Sequence, residues 1–237
     1  MATLPDTSRD PARVREMFGG IAPRYDLLNR ILSLGIDTRW RRRAALSLAQ
    51  DDPKLVLDVC GGTGDLSVAV AKAAPAAWVV CCDFSYPMLL RAGPKFGRPD
   101  VLGRCVRVEA DGLRLPFPAE RFDAVTIAFG VRNFVDRRAG LREAARVLRP
   151  RGRLLVLEFS RPTGLFGRIY RSYLFGLVPR MGDRASGRSG PYGYLARTIS
   201  EFPEPAALAG EIRESGFAAV GWTPLTGGIV CLHDARR

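Results

Sequence analysis

Apolar and polar positions alternate with different periods in four stretches of the chain. In residues 1–50, apolar side chains recur at helical spacing. Asp10 and Pro11 form a helix-opening pair, with Val14, Met17 and Phe18 following on one face. Ile21 to Tyr25 is a turn broken by Pro23. Leu27, Leu28, Ile31 and Leu32 mark a second helix, and Trp40, Ala44, Leu46 and Leu48 a third. These elements predict a helical N-terminal cap.

From Lys54 the pattern changes to short apolar runs separated by amphipathic ones. Leu55–Cys60, Ala77–Cys82, Cys105–Glu109, Phe122–Ala128 and Arg153–Phe159 predict five strands. Leu66–Ala74, Met88–Ala92 and Asp136–Leu148 predict helices, the last ended by Pro150. This order implies a parallel sheet with helices on both faces over residues 54–160. Residues 161–203 break the rhythm with an aromatic helical stretch and a Gly/Arg-rich loop, Gly182–Gly193. In residues 204–237, a helix over Pro205–Ser215 precedes strands near Val220–Leu225 and Gly228–Leu232. Thr226-Gly227-Gly228 joins these strands as an antiparallel hairpin. The four stretches read as one domain of the α/β class.

Composition adds two constraints. The net charge is +12, and Lys54, Lys72 and Lys95 are the lysines, so the excess is arginine. It points either to an anionic partner or to a compositional bias. Cys60, Cys81, Cys82, Cys105 and Cys231 form no CxxC pair, so neither a zinc site nor a disulfide framework is expected and the metal set is none. The opening residues lack a basic segment followed by an apolar run, and no uninterrupted apolar stretch is long enough to span a bilayer.

Candidate chemistry lies where the first strand ends, at Asp58-Val59-Cys60-Gly61-Gly62-Thr63-Gly64-Asp65. A dinucleotide fingerprint needs a third glycine where Ser67 stands, and no Gly-Lys-Ser/Thr follows for a phosphate loop. With Asp58 ahead of the glycines, the turn suits S-adenosylmethionine, which carries a sulfonium and an ammonium and no phosphate. Gly61 and Thr63 are its expected contacts in the turn. Asp83, ending the second strand, is placed to accept the ribose hydroxyls, or else to cap the next helix. Asp111 and Gly112 would lie beside the adenine, or form an ordinary turn. Ala128 would border the cofactor.

Further motifs are Tyr25-Asp26-Leu27-Leu28-Asn29, Gly35 and Trp40, the Val56–Leu66 core, Leu115-Pro116-Phe117 and Phe129-Gly130-Val131-Arg132-Asn133. Arg146-Val147-Leu148, Leu157-Glu158-Phe159-Ser160 and Leu225–His233 complete the set. On these residues the chain resembles the ubiquinone/menaquinone biosynthesis C-methyltransferases of the UbiE/MenG type. Asp37 stands where the family usually has histidine, Leu28 replaces methionine, Arg149 and Arg151 replace lysine and glycine, and Ala128 replaces serine. The resemblance implies a Rossmann-like class I fold, a seven-stranded, mostly parallel sheet closed by the C-terminal hairpin. It implies methyl transfer from S-adenosylmethionine to a prenylated quinol, a naphthoquinol or a benzoquinol. Arg132 would stabilise a phenolate and orient a water, with Asn133 and Tyr25 beside it. His233 is assigned a structural role.

Three rivals stand beside this reading. One is an NAD-dependent oxidoreductase. The second is a nucleic-acid methyltransferase, which would carry Asn-Pro-Pro-aromatic where this chain has Ala128-Phe129-Gly130-Val131; no nucleic-acid partner is therefore expected. The third is an inactive membrane-associated scaffold. Leu165, Phe166, Ile169, Tyr170, Tyr173, Leu174, Leu177 and Val178 would form one apolar helix face, flanked by Arg168, Arg171, Arg180, Arg184 and Arg188. That face suits an anionic membrane surface, or else the protein's own core or a homodimer contact. The expected location is cytoplasmic, peripheral on the inner face of the cell membrane.

Overall fold

The computed structural model describes residues 10–178 and 191–237. Three cap helices come first: α1 (Pro11–Ile21), α2 (Tyr25–Leu32) and α3 (Asp37–Ala49). The Asp10 carboxylate accepts from the Ala12 N–H and so opens α1, as its spacing predicts. The alternating part comes next as β1 (Leu55–Val59), α4 (Asp65–Ala73), β2 (Trp78–Asp83), α5 (Tyr86–Phe96), β3 (Cys105–Glu109), β4 (Phe122–Ala128), α6 (Arg137–Val147) and β5 (Leu148–Phe159). Then come α7 (Gly164–Ser172), α8 (Pro191–Ser200), α9 (Pro205–Glu214), β6 (Ala219–Leu225) and β7 (Val230–Arg236).

The strands form a seven-stranded sheet in the order β3-β2-β1-β4-β5-β7-β6. β7 runs antiparallel to both β5 and β6, and the other pairings are parallel. The chain winds outward from β1 to β3 and then returns to β4 on the other side of β1. The carboxyl ends of β1 and β4 therefore diverge, and their crossover connections leave a crevice there. Trp40, Leu48, Val70 and Leu89 pack one face of the sheet; Leu141, Leu208 and Ile212 pack the other.

Three elements differ from the sequence reading. β5 begins at Leu148, which pairs with Phe122, and the register then jumps to Arg153 opposite Ala124. Arg149 to Gly152 bulge out between, with Arg151 at φ 63, which is where a sheet tolerates Pro150. β7 starts at Val230 and runs on through the polar residues His233 and Asp234. Asp234 is paired there with the buried guanidinium of Arg153 at 2.6 Å, and His233 Nε2 donates to Pro205 O at 2.9 Å.

The third difference is the apolar face expected on α7. α7 continues into a π-turn over Tyr173–Leu177, and the extra residue in that turn rotates the side chains beyond it. Leu174 and Val178 are buried in the protein, whereas Leu165, Ile169 and Phe175 face outward. The expected single face is therefore divided, and its inner half is core. Arg168 and Arg171 are exposed. Arg180, Arg184 and Arg188, most of the Gly182–Gly193 loop and the side chains of Phe166 and Leu177 lie outside the described residues.

Gly64 closes the turn into α4 at φ 78, and a Cβ there would stand 2.6 Å from the Phe96 ring. Gly64→Ala should cost about 2–4 kcal/mol, from the left-handed backbone and from displacing a packed ring. Equilibrium denaturation within about 0.5 kcal/mol of wild type would show that the turn relaxes freely.

Candidate active site

The site grows from the end of β1. Asp58 is fully buried and accepts from Ser67 Oγ at 2.6 Å and Thr126 Oγ1 at 2.8 Å, joining β1 to α4 and β4. Burial pushes its carboxyl up to about 6, against the pull of the two hydroxyl donors. At the end of β2, Asp83 accepts from the Gly62 N–H at 2.8 Å and the Ser85 N–H at 2.9 Å. Its carboxyl is likewise pushed up to about 6 by burial, with the two backbone donors opposing. Cys60 and Phe129, just past the ends of β1 and β4, both lie in the left-handed region, at φ 56 and 57. Non-glycine residues held there are a form of strain that gathers at functional sites.

A cavity opens over these strand ends. Tyr25, Gly62, Asp83, Asp111, Gly112, Ala128 and Asn133 are on its wall, together with Cys60, Met88, Phe129 and Phe134. Among the described residues its lining includes Asp83 and Asp111 and no lysine, arginine or histidine. A pyrophosphate would meet carboxylates and no cation, whereas a sulfonium and ribose hydroxyls find acceptors there. Asp111 also accepts from the Leu113 N–H at 2.9 Å, so the turn reading and the lining reading both hold.

Gly61 and Thr63 are not on that wall. A Cβ on Gly61 would stand 2.5 Å from Cys81 Sγ, so this glycine packs back against β2. Thr63 donates to Asp26 at 2.6 Å and accepts from Lys95 at 3.1 Å. Lys95 in turn bridges Asp26 and Asp65, tying the cap to the glycine turn.

A second, larger cavity of about 380 Å³ adjoins the first, and Phe18, Tyr25 and Phe129 line both. It is walled by aromatic and aliphatic side chains of the cap, the end of β5, α7 with its π-turn, and α8, among them Trp40, Phe159, Tyr170, Leu174 and Ile199. Arg132 is on this wall rather than beside Asn133 on the other. Its Nη1 donates to Glu158 Oε1 at 2.9 Å and to Phe129 O, and the guanidinium lies 5.4 Å over the Phe159 ring. Among the described residues, Nε is buried without a partner and Nη2 makes no hydrogen bond. Glu158 also accepts from the backbone N–H of Arg132 and of Phe159. Asn133 accepts from Tyr194 Oη at 3.2 Å. Asp37, also on this wall, is paired with Arg30 and Arg41 and hydrogen-bonded to Ser33.

His233 is buried away from both cavities, and burial lowers its pKa, in keeping with a structural role. No cluster of metal-binding side chains occurs among the described residues.

Residues 6–237 match the family model of the ubiE/COQ5 methyltransferase family. The chain belongs to that family. A demethylmenaquinone methyltransferase of Thermus thermophilus is 49% identical over 223 residues, covering 93% of this chain and all of that one. Another, from Mycolicibacterium vanbaalenii, is 48% identical over 97% of this chain and 96% of its own length. Among solved structures, human N-acetylserotonin methyltransferase in complex with S-adenosylmethionine aligns with TM-score 0.61 at 17% identity, over 90% of this chain and 55% of that one. A methyltransferase of Aquifex aeolicus aligns with TM-score 0.55 at 16% identity, over 77% of this chain and 81% of that one. Those two likenesses establish the fold. As a member of the ubiE/COQ5 family, the chain is an S-adenosylmethionine-dependent methyltransferase of quinone biosynthesis, and the oxidoreductase and nucleic-acid readings are not favoured.

Glu158 and Phe129, which hold Arg132, are assigned no role by the sequence alone. Both lie in motifs that carry the family likeness, and a buried arginine two motifs away needed a buried anion.

The raised Asp83 carboxyl carries a stability signature. Its folded pKa of about 6 exceeds the ordinary 3.8, so the folded state holds the extra proton between those values. Stability from this group falls as pH rises through that window, and the penalty is fully present above it. In the ligand-free protein, Asp83→Asn should gain about 1–2 kcal/mol on wild type between about pH 4 and about pH 7. A difference in melting that does not change with pH would mean Asp83 is not strained by burial.

Proposed function

We propose that this methyltransferase acts on a ring carbon of a prenylated quinol, with demethylmenaquinol as acceptor. The observation that carries the reading is the junction of two unlike cavities. Among the described residues one is acidic and lined by no cation; the other is apolar, and they meet at Phe18, Tyr25 and Phe129. The names of the relatives from Thermus and Mycolicibacterium support a naphthoquinol in particular. S-adenosylmethionine, when bound, supplies an electrophilic methyl on its sulfonium. In this reading Asp83 accepts the ribose hydroxyls on its remaining lone pairs, Asp111 and Gly112 lie at the adenine, and Ala128 borders the cofactor. Gly61 and Thr63 hold the turn from behind.

A quinol carbon becomes nucleophilic when the neighbouring phenol loses its proton. Arg132 does not take that proton, because a guanidinium stays charged to a pKa above about 12. Glu158 and Phe129 O hold its Nη1, which leaves Nη2 to stabilise the phenolate oxygen and orient the water that accepts the proton. Tyr25 stands at the junction itself and Asn133 on its cofactor side, where they direct the hydroxyl and its water. The carbon's own hydrogen leaves as a proton once the new carbon–carbon bond has formed. Aromatic walls exclude bulk water and align the ring with the methyl. A polyprenyl tail keeps the acceptor in a bilayer, so an anionic membrane surface is the partner this function requires.

Arg132→Ala should lower turnover on a water-soluble demethylated naphthoquinol by about 10²–10³-fold, the loss typical of one oxyanion donor. S-adenosylmethionine affinity, read by calorimetry, should stay within about threefold, since the lost interaction belongs to the transition state. Near-normal turnover would reduce Arg132 to a structural ion pair. Turnover of the benzoquinol equivalent above that of the naphthoquinol would reverse the choice of acceptor.

A further inference from the structure

Leu34 sits at the tip of the turn between α2 and α3, at φ 52 and 82% exposed. Residues with a Cβ avoid that conformation, and a leucine gains nothing from water to offset it. The turn itself is firmly made: Gly35 N–H donates to Arg30 O at 2.7 Å, Ile36 N–H to Ser33 O at 3.0 Å and Thr38 Oγ1 to Gly35 O at 2.8 Å. The fold therefore holds an apolar side chain outward in a strained position.

Leu34 does not stand alone. Leu27 and Ile31 precede it four residues apart on one side of α2, and all three are exposed. The other side of α2 packs against the end of α7: Leu28 meets Val178, and Tyr173 Oη donates to Leu32 O at 2.7 Å. α7 presents Leu165 and Ile169 to solvent beside it. Leu34 and Ile169 both border the 380 Å³ cavity, one from each element, so the two apolar edges frame one opening.

The exposed, unpaired charge on the α2–α3 segment and α7 has one sign. Arg39, Arg42, Arg43, Arg168 and Arg171 are exposed and carry no ion pair among the described residues. No carboxylate occurs from Arg161 to Val178. In the α2–α3 segment, Asp26 and Asp37 are both occupied by cations of the protein itself. An apolar rim with unpaired arginines around it matches an anionic lipid interface better than a second copy of this chain, which would bring a rim equally positive.

We propose that the α2–α3 tip, led by Leu34, and the outer edge of α7 press into an anionic bilayer on either side of the cavity mouth. A prenylated acceptor then enters between them without crossing water. This rests on the acceptor proposed above.

Flotation with phosphatidylcholine vesicles, with and without phosphatidylglycerol, tests it. Wild type should float with the anionic vesicles and be released by salt. Leu34→Gly should reduce partitioning about tenfold, the order expected for withdrawing one leucine side chain from hydrocarbon. Its melting temperature should hold or rise, because glycine accepts the left-handed backbone. Leu27→Ser with Ile31→Ser should keep turnover on a truncated, water-soluble quinol within about twofold and lose about tenfold on the polyprenyl substrate in vesicles. Equal partitioning of wild type and both variants overturns the proposal. So does a wild-type dimer that Leu34→Gly dissociates while nothing floats, which would assign the rim to a second copy. Flotation that depends on Leu34, in a protein that methylates no truncated quinol, would sustain the rim and remove the acceptor.

Discussion

Asp58 binds the centre of the molecule together. It lies on β1, accepts from Thr126 on β4 and from Ser67 on α4, and has no access to water. Those three elements define the crevice at the diverging strand ends, so the direction in which the glycine turn leaves β1 depends on this carboxylate. A buried anion without donors would be strongly disfavoured, and each hydroxyl here offsets part of that burial. The turn can then tighten, because Gly61 lies flat on β2 and Gly62 gives its N–H to Asp83. The acidic cavity is thus built on a second carboxylate whose orientation depends on the first.

Arg132 and Glu158 solve a similar problem on the other side. A guanidinium is useful beside an ionising phenol only if water is excluded, and a lone cation in that setting would unfold the site. Glu158 is held by two backbone N–H groups as well as by the guanidinium, so the pair has a fixed geometry before any acceptor arrives. The neutral pair leaves part of the guanidinium without partners among the described residues, and that unmet capacity is directional.

Much of this was legible in the sequence. The switch from helical spacing to short apolar runs at Lys54 located the cap and the sheet, because burial on both faces leaves a clear apolar signature. Asp83, Asp111, Gly112 and Ala128 line one cavity, since strand ends fix where their side chains emerge, whereas Tyr25 and Asn133, expected beside Arg132, line that cavity while Arg132 lines its neighbour. Gly61 and Thr63 turn away because alternate residues in a tight turn face opposite sides, a detail that a motif does not encode. The early ending assigned to β7 came from treating polar residues as loop; Asp234 is a strand residue because Arg153 neutralises it. The division of α7 was hidden for a related reason. A π-turn shifts the helical phase by tertiary packing, and spacing read from sequence assumes a constant phase.

The absence of any basic side chain from the described lining of the cofactor cavity bears on how turnover ends. A sulfonium is a cation until its methyl departs, and the thioether left behind is neutral. On the proposed placement of the cofactor, Asp83 and Asp111 would attract the charged donor more strongly than the spent one. The chemical step itself would then weaken the electrostatic hold on what remains, which would couple discharge of the product to the reaction without any moving part.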